Sequence, residues 1–163
     1  SRLEKSSSPI ELSEIDIHNA IEDAMRHVDL IVKNHKGKII SFLDAKQTLS
    51  KGNLNHFTNL IVNLLDNAVK YSKGSPQITI SSYNEAKKIF LKISDEGIGM
   101  DITTQKQIFE KFFRKQSGNI HNVKGHGLGL SYVKKIVELH DGDIKLTSKI
   151  GEGTTFIISV PLL

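Results

Sequence analysis

The stretch 53–71 constrains this chain more than any other part of it. Leu60, Leu64, Leu65 and Ala68 recur there at helical spacing. Asn59, Asn63, Asn67 and Lys70 share the remaining face, within an arc of roughly 80° at 100° per residue. Asn53 is placed to cap such a helix, and Lys73, Gly74, Ser75 and Pro76 end it. A helix with one apolar face needs an apolar surface to lie on, and the rest of the chain has to supply it.

The polar arc admits two readings. It is a solvated helix face, or it is a ligand site. Asparagine is a poor helix former, and exposed faces favour Glu, Lys or Gln. Spacing of i and i+4 sends two amide oxygens to one point, with Lys70 about a turn further on. Hard oxygen ligands beside a cation suit Mg²⁺ bound to phosphates, the metal keeping waters and taking its other ligands from the phosphates.

The surface for that helix is legible elsewhere. The patterns predict strands over 38–43, 77–83, 87–94, 143–149 and 154–160, the second and third forming a hairpin around Asn84, Glu85 and Ala86. A loosely alternating stretch, 10–17, reads as a further short strand. Asp16 is placed to cap a helix over 17–32, with Ile15 and Ala20 as a hydrophobic staple, and a third helix covers 128–140. Residues 108–113 read as a short apolar and aromatic element, and 114–125 as a polar loop. This mixed order predicts an α/β (α+β) two-layer sandwich with helices on one face of the sheet.

A chain of 163 residues fits one domain and buries roughly 70% of the surface its unfolded form exposes. Without cysteine it is no disulfide scaffold, and it suits a reducing compartment. The net charge of +4 suits an anionic ligand or acidic partner, but no Lys/Arg run with interleaved aromatics marks a nucleic-acid binder. No apolar stretch approaches the roughly 20 residues of a membrane span. The polar, serine-rich start lacks the apolar centre of a signal peptide.

Two glycine segments carry the remaining chemistry. Asp95-Glu96-Gly97-Ile98-Gly99 follows a strand, where glycines let backbone approach a flat ligand and an aspartate can accept from an exocyclic amine; a simple turn is the plainer reading. Gly125-His126-Gly127-Leu128-Gly129-Leu130 opens a helix whose N–H groups suit a phosphate. Its spacing is neither the Rossmann fingerprint nor a Walker A loop. Arg114 and Lys124 flank the polar loop between the two segments, a basic stretch placed to act as a lid.

Together these residues resemble the catalytic, ATP-binding domain of bacterial two-component sensor histidine kinases, within the GHKL or Bergerat-fold ATPases. Asn63-Leu64-Leu65-Asp66-Asn67-Ala68-Val69-Lys70-Tyr71 resembles that family's N box, and Asp95 to Gly99 its G1 box. Ile108-Phe109-Glu110-Lys111-Phe112-Phe113-Arg114 resembles the F box, Gly125 to Leu130 the G2 box, and Gly151-Glu152-Gly153-Thr154-Thr155-Phe156 the final glycine box. The likeness runs over 15–161. It implies a mixed, mostly antiparallel sheet of about five strands covered on one face by about three helices. Residues 11–163 would form a single domain, and 1–10 a linker or the end of an upstream dimerisation helix.

The resemblance also implies roles. Asn67, helped by Asn63, would hold Mg²⁺, and Lys70 and Arg114 would contact phosphates. Tyr71 would line the nucleotide pocket. Asp95 would bind the adenine amine, with Thr155 near the same edge through water, and Gly97 and Gly99 would border the base. Lys124, Gly125, Gly127, Leu128, Gly129 and Leu130 would shape the lid end and phosphate cradle. Phe109 and Phe112 would anchor the lid and face a partner domain, or pack in the core. The implied ligands are ATP and Mg²⁺. The implied partners are an upstream phosphotransfer domain and a response regulator receiver domain, with no nucleic acid and no membrane insertion of this piece. This domain would lie in the cytoplasm, in a parent anchored in the inner (cell) membrane.

GHKL hydrolases of the gyrase type place a glutamate four residues before the position of Asn63. Here that residue is Asn59, whose amide cannot act as a general base. This favours phosphoryl transfer to a protein over hydrolysis. None of His18, His27, His35, His56, His121, His126 or His140 has the acidic and Pro-containing context of the family's acceptor histidine, so the acceptor is expected upstream. His140-Asp141-Gly142-Asp143 reads as a helix end turning into a strand rather than a metal site. The alternatives are another GHKL ATPase or serine kinase, and a nucleotide-binding scaffold without catalysis.

Overall fold

The computed structural model describes residues 9–110 and 129–163. Among them run β1 (Ser13–Asp16), α1 (Ile17–Asn34), β2 (Lys38–Leu43), β3 (Leu49–Gly52), α2 (Leu54–Lys70), β4 (Gln77–Glu85), β5 (Lys88–Asp95), α3 (Ile102–Gln107), α4 (Gly129–Leu139), β6 (Asp143–Lys149) and β7 (Gly153–Pro161). Five strands form one sheet in the order β2-β4-β5-β7-β6. Only β2 and β4 run parallel; the other neighbours are antiparallel.

One face of that sheet is buried. Ile80, Ile93, Phe156 and Leu146 stand in register across four strands, and Leu91, Ile158 and Ile144 form the next row. Five of these seven are closed to solvent and Ile144 and Leu146, on the edge strand, are half-buried, whereas Thr79, Lys92 and Lys145 on the opposite face are exposed. Helices α1, α2 and α4 cover the buried face, touching β2, β5 and β6 respectively. The expected two-layer architecture is therefore the observed one.

Helix α2 shows why the fold tolerates its asparagines. Asparagine costs roughly 0.6 kcal/mol per position relative to alanine, about 2.4 kcal/mol for the four in this helix. Phe57, Leu60, Ile61, Leu64 and Leu65 are essentially closed to solvent, and each contributes about 1.5–3 kcal/mol by burial. Packing outweighs propensity several-fold. The caps are those the sequence indicates: Asp16 accepts from His18 N at 2.9 Å, and Asn53 from His56 N at 3.0 Å.

Several elements differ from expectation. β1 is shorter than 10–17 and pairs with β3, which was not expected. The β4–β5 turn falls on Ala86 and Lys87, both left-handed at φ 52° and 61°, two residues beyond Asn84. Asn84 is engaged otherwise: its Oδ1 accepts from Lys46 N and Gln47 N, both at 2.9 Å. Helix α3 was not expected; it starts on Asp101, which accepts from Thr104 N at 2.7 Å. The expected element at 108–113 begins as a turn at Ile108, and from Lys111 onward it lies outside the described residues.

His140 closes α4 against the start of α2. It is 3% exposed; its Nδ1–H donates to Ile136 O at 2.8 Å and its Nε2 accepts from Asn53 N at 3.0 Å. The ring is thus held neutral, and Asp141 (φ 54°) and Gly142 turn the chain into β6. No cluster of three metal-ligating side chains forms among the described residues. Burial pushes the His140 imidazole below its ordinary range; nearby His56 adds to this, while the Ile136 carbonyl and Asp141 oppose it. A group whose folded pKa lies below its unfolded value of about 6.5 contributes stability above that value and loses it as pH falls. Urea midpoints should therefore drop from pH 7.5 to 5.5. His140→Gln should be less stable at pH 7.5 and show a shallower slope; parallel slopes would contradict this role.

Candidate functional site

A cleft of about 440 Å³, part of it open to solvent, lies where the C-terminal end of α2 meets the end of β5. Asn67 and Tyr71 come from α2 and its cap. Asp95, Ile98, Gly99 and Met100 come from β5 and the turn after it, Thr104 and Ile108 from α3 and its end, and Thr154 and Phe156 from β7. Three stretches distant in sequence (67–71, 95–108 and 154–156) converge here because β5 and β7 are sheet neighbours and α2 packs on β5.

Asp95 sits at the base. Its Oδ1 accepts from Gly97 N at 2.8 Å and from Thr154 N at 3.3 Å, while Oδ2 takes neither bond. Burial raises its carboxyl above the usual carboxylate range, and those two N–H groups pull it part of the way back. An acceptor so placed is short of donors and gains from a ligand that brings one.

The turn after β5 is tied down on both sides. Ile98 N donates to Tyr71 O at 2.9 Å, Gly151 N to Ile98 O at 2.8 Å, and Met100 N to Ser148 Oγ at 2.8 Å. Lys73 Nζ reaches Gly151 O. Glycine is required in this packing. A Cβ on Gly97 would strike Tyr71 O, and one on Gly99 (φ +73°) would strike Lys149 O. Ile98, Met100, Ile108 and Phe156 make the walls apolar. A carboxylate at the base of an apolar slot, with backbone close alongside, can hold a flat ring that carries an amino group.

The asparagine face divides. Asn67 lines the cleft. Asn63 lies one turn back, its Nδ2 donating to Asn59 O at 2.8 Å. Its Oδ1 faces Gly129, at 3.0 Å from where a Cβ on that glycine would be. The start of α4 is thereby brought beside Asn63, and Leu130 next to it is buried. Lys70 is held by Asp66 of its own helix at 3.3 Å and is not in the cleft lining. Phe109 packs edge-on against Phe156, ring centres 6.3 Å apart, and is half-buried. Arg114, Lys124, Gly125, Gly127 and Leu128, together with Phe112, lie outside the described residues.

Thr155 is not in the lining. It pairs with Ser94, the two hydroxyls 2.9 Å apart, on the uncovered face of the sheet. Thr154 takes that place, sharing a face with Phe156 and Ile158. Strand alternation carried the signal: with Phe156 inward, the residue two before it is inward too. Thr104, Met100 and Ile108 were also not anticipated in the site.

Comparison with known proteins places the chain in a family. A family model described as histidine kinase-, DNA gyrase B-, and HSP90-like ATPase matches residues 52–163. The sensor protein RprX of Bacteroides fragilis is 39% identical over 165 residues, covering all of this chain and 32% of that protein. Drug sensory protein A of Synechocystis is 33% identical over 166 residues, 96% of this chain and 25% of that protein. The chain thus spans about a third or less of the length of these two relatives. Among solved structures, the mycobacterial sensor histidine kinase MprB superposes with a TM-score of 0.79 at 23% identity, over 93% of this chain and 97% of that one. The catalytic domain of histidine kinase ThkA does so with 0.80 at 21%, over 93% and 96%. At those identities the structures speak for the fold alone.

Proposed function

This chain belongs to the family of histidine kinase-, DNA gyrase B-, and HSP90-like ATPases, and from that premise we propose that it binds MgATP and presents the γ-phosphate to a histidine on another domain of a sensor histidine kinase. In this reading 11–163 is the nucleotide-binding domain and 1–10 leads into it from an upstream dimerisation helix. The observation that carries the proposal is the cleft itself, with the Asp95 carboxylate at its base and the Asn67 amide at its edge.

Asp95 Oδ2 accepts from the adenine amine, and Ile98, Met100, Ile108 and Phe156 exclude water around the base. Gly97 and Gly99 keep the turn close to the ring, and Thr154, rather than Thr155, fixes the carboxylate through its N–H. Asn67 and Asn63 offer amide oxygens to Mg²⁺, which when bound neutralises the phosphates and aligns them for transfer. Lys70 exchanges Asp66 for a phosphate, a short swing of a lysine that is already partly exposed. Tyr71 borders the nucleotide. Arg114, Lys124 and the segment Gly125, Gly127, Leu128, Gly129 and Leu130 supply cations and N–H groups to the phosphates. The incoming imidazole nitrogen forms the new N–P bond as the bond to the β-phosphate oxygen breaks. The chain contributes position and charge, and Asn59 offers no base to activate water. A receiver domain of a response regulator is the expected downstream acceptor. The domain works in the cytoplasm, where ATP is, within a membrane-anchored parent; no described helix here is long and apolar enough to cross a membrane.

Incubating this chain with its native upstream segment and γ-labelled ATP should put acid-labile, base-stable label on that segment. Free phosphate, acid-stable label or no transfer would contradict the proposal.

A further inference from the structure

Strand β2 is an edge of the five-stranded sheet, and among the described residues no strand lies beyond it. It is poorly protected. Its sequence is Lys-Ile-Ile-Ser-Phe-Leu, with no proline and one charge at its start. Ile40 is 44% and Phe42 54% exposed. The other edge, β6, carries Asp143, Lys145 and Lys149 along its length. Open sheet edges invite another strand unless charge, proline or a bulge blunts them.

The backbone shows which groups are available. Lys38 N donates to Pro76 O at 2.9 Å, and Asp44 N to Ser82 O at 3.2 Å, so the even positions bond inward. Ile39, Ser41 and Leu43 therefore turn their N–H and C=O groups outward. The even side chains lie on the uncovered face of the sheet: Ile40 is level with Thr79, and Phe42 with Ser81.

We propose that this edge pairs with β2 of a second copy of the chain, antiparallel about a twofold axis through Ser41. This goes beyond the nucleotide reading and does not depend on it. In that register Ser41 faces Ser41 and Ile39 faces Leu43, all with outward backbone groups, so the ladder closes. Ile40 then lies opposite Phe42, and Lys38 opposite Asp44, each twice by symmetry. Neither Lys38 nor Asp44 forms an ion pair with any described residue of its own chain. Shifting by two residues either way sets Ile40 against itself and Lys38 against Phe42, or Phe42 against itself and Ile40 against Asp44. Only the proposed register matches both charge and apolarity. With β6 guarded by charge, the pairing stops at two copies. The cleft lies under the helices, on the other side of the sheet, and stays accessible.

Sedimentation over a concentration series tests this, with amide exchange alongside. The chain should associate weakly and reversibly to a dimer, and the amides of Ile39, Ser41 and Leu43 should exchange more slowly as concentration rises. Phe42→Lys should abolish the dimer. Asp44→Lys and Lys38→Asp should each weaken it tenfold or more by opposing like charges. Mixing those two variants should restore it, since their heterodimer regains both ion pairs. Melting temperature and nucleotide affinity serve as fold controls. A wild-type monomer at millimolar concentration would overturn the proposal, as would a dimer indifferent to these changes or a mixture no better than its components.

Discussion

Asp95→Asn should cost about 100-fold in affinity for an adenine nucleotide while leaving the melting temperature nearly unchanged. Two of the bonds at this residue are made by Oδ1, from Gly97 N and Thr154 N. An asparagine keeps an oxygen there by turning its amide, so the turn after β5 and the start of β7 stay fastened. What changes is the other atom. The Oδ2 position becomes an NH₂ group, a donor set against the donor amine of adenine. A hydrogen bond to a charged group is worth about 1.5–3 kcal/mol, and 1.4 kcal/mol is tenfold in affinity. Replacing attraction by a mismatch puts the loss in the upper part of that range. Calorimetric titration with the nucleotide reads it. An affinity within threefold of wild type would mean that the carboxylate does not face the base.

Gly153→Ala should destabilise the chain by about 3 kcal/mol or more, and Gly151→Ala by about 1 kcal/mol. Both glycines have left-handed backbone, φ +102° and +84°. They differ in what surrounds them. A Cβ on Gly151 meets nothing within 4 Å, so alanine there carries only conformational strain. A Cβ on Gly153 falls on the Asp95 carbonyl oxygen and lies 3.0 Å from Glu96 Cα. These are backbone atoms that cannot move aside without breaking the Asp95–Thr154 pairing at the cleft. Urea unfolding separates the two cases. Equal effects from both substitutions would show that strain alone, rather than the close approach of β7 to β5, demands glycine at 153.

What the sequence revealed follows from the range of each signal. The caps at Asp16 and Asn53 and the apolar faces of α1 and α2 depend on residues within a turn or two, and they were legible. So was β2, whose expected range 38–43 matches the observed strand. β3 was not, because Leu49–Gly52 is too short to show alternation and exists as a strand only through β1, more than thirty residues earlier. α3 is six residues long and contains two threonines that disfavour helix; the Asp101 cap and the bonds from Gln105 Nε2 to Met100 O and Ser148 O hold it. The pattern sets the β4–β5 turn around Asn84, Glu85 and Ala86. The register centres it one residue later, on Ala86 and Lys87, which tolerate left-handed backbone less readily than Asn84, while Asn84 anchors the 46–47 loop.

The cleft divides along the same line. Asn67, Tyr71, Asp95 and Gly99 belong to motifs readable as strings, and all four line it. The exchange of Thr155 for Thr154 was decidable from alternation in β7, a local signal left unused. Met100, Thr104 and Ile108 enter the site through the folding back of α3, which no pattern in the chain announces. That Lys70 rests on Asp66 was equally decidable, since i, i+4 spacing on a helix places an acid beside the lysine.

The proposed nucleotide site works through Asp95 and Asn67. Titrating the chain with a non-hydrolysable ATP analogue by calorimetry tests it most directly, in Mg²⁺ and again with the metal chelated, beside Asn67→Ala. Binding should saturate at one site and weaken at least about tenfold on chelation, with Asn67→Ala in Mg²⁺ falling to the chelated level. No heat from a folded chain, or binding indifferent to both the metal and Asn67, would contradict it.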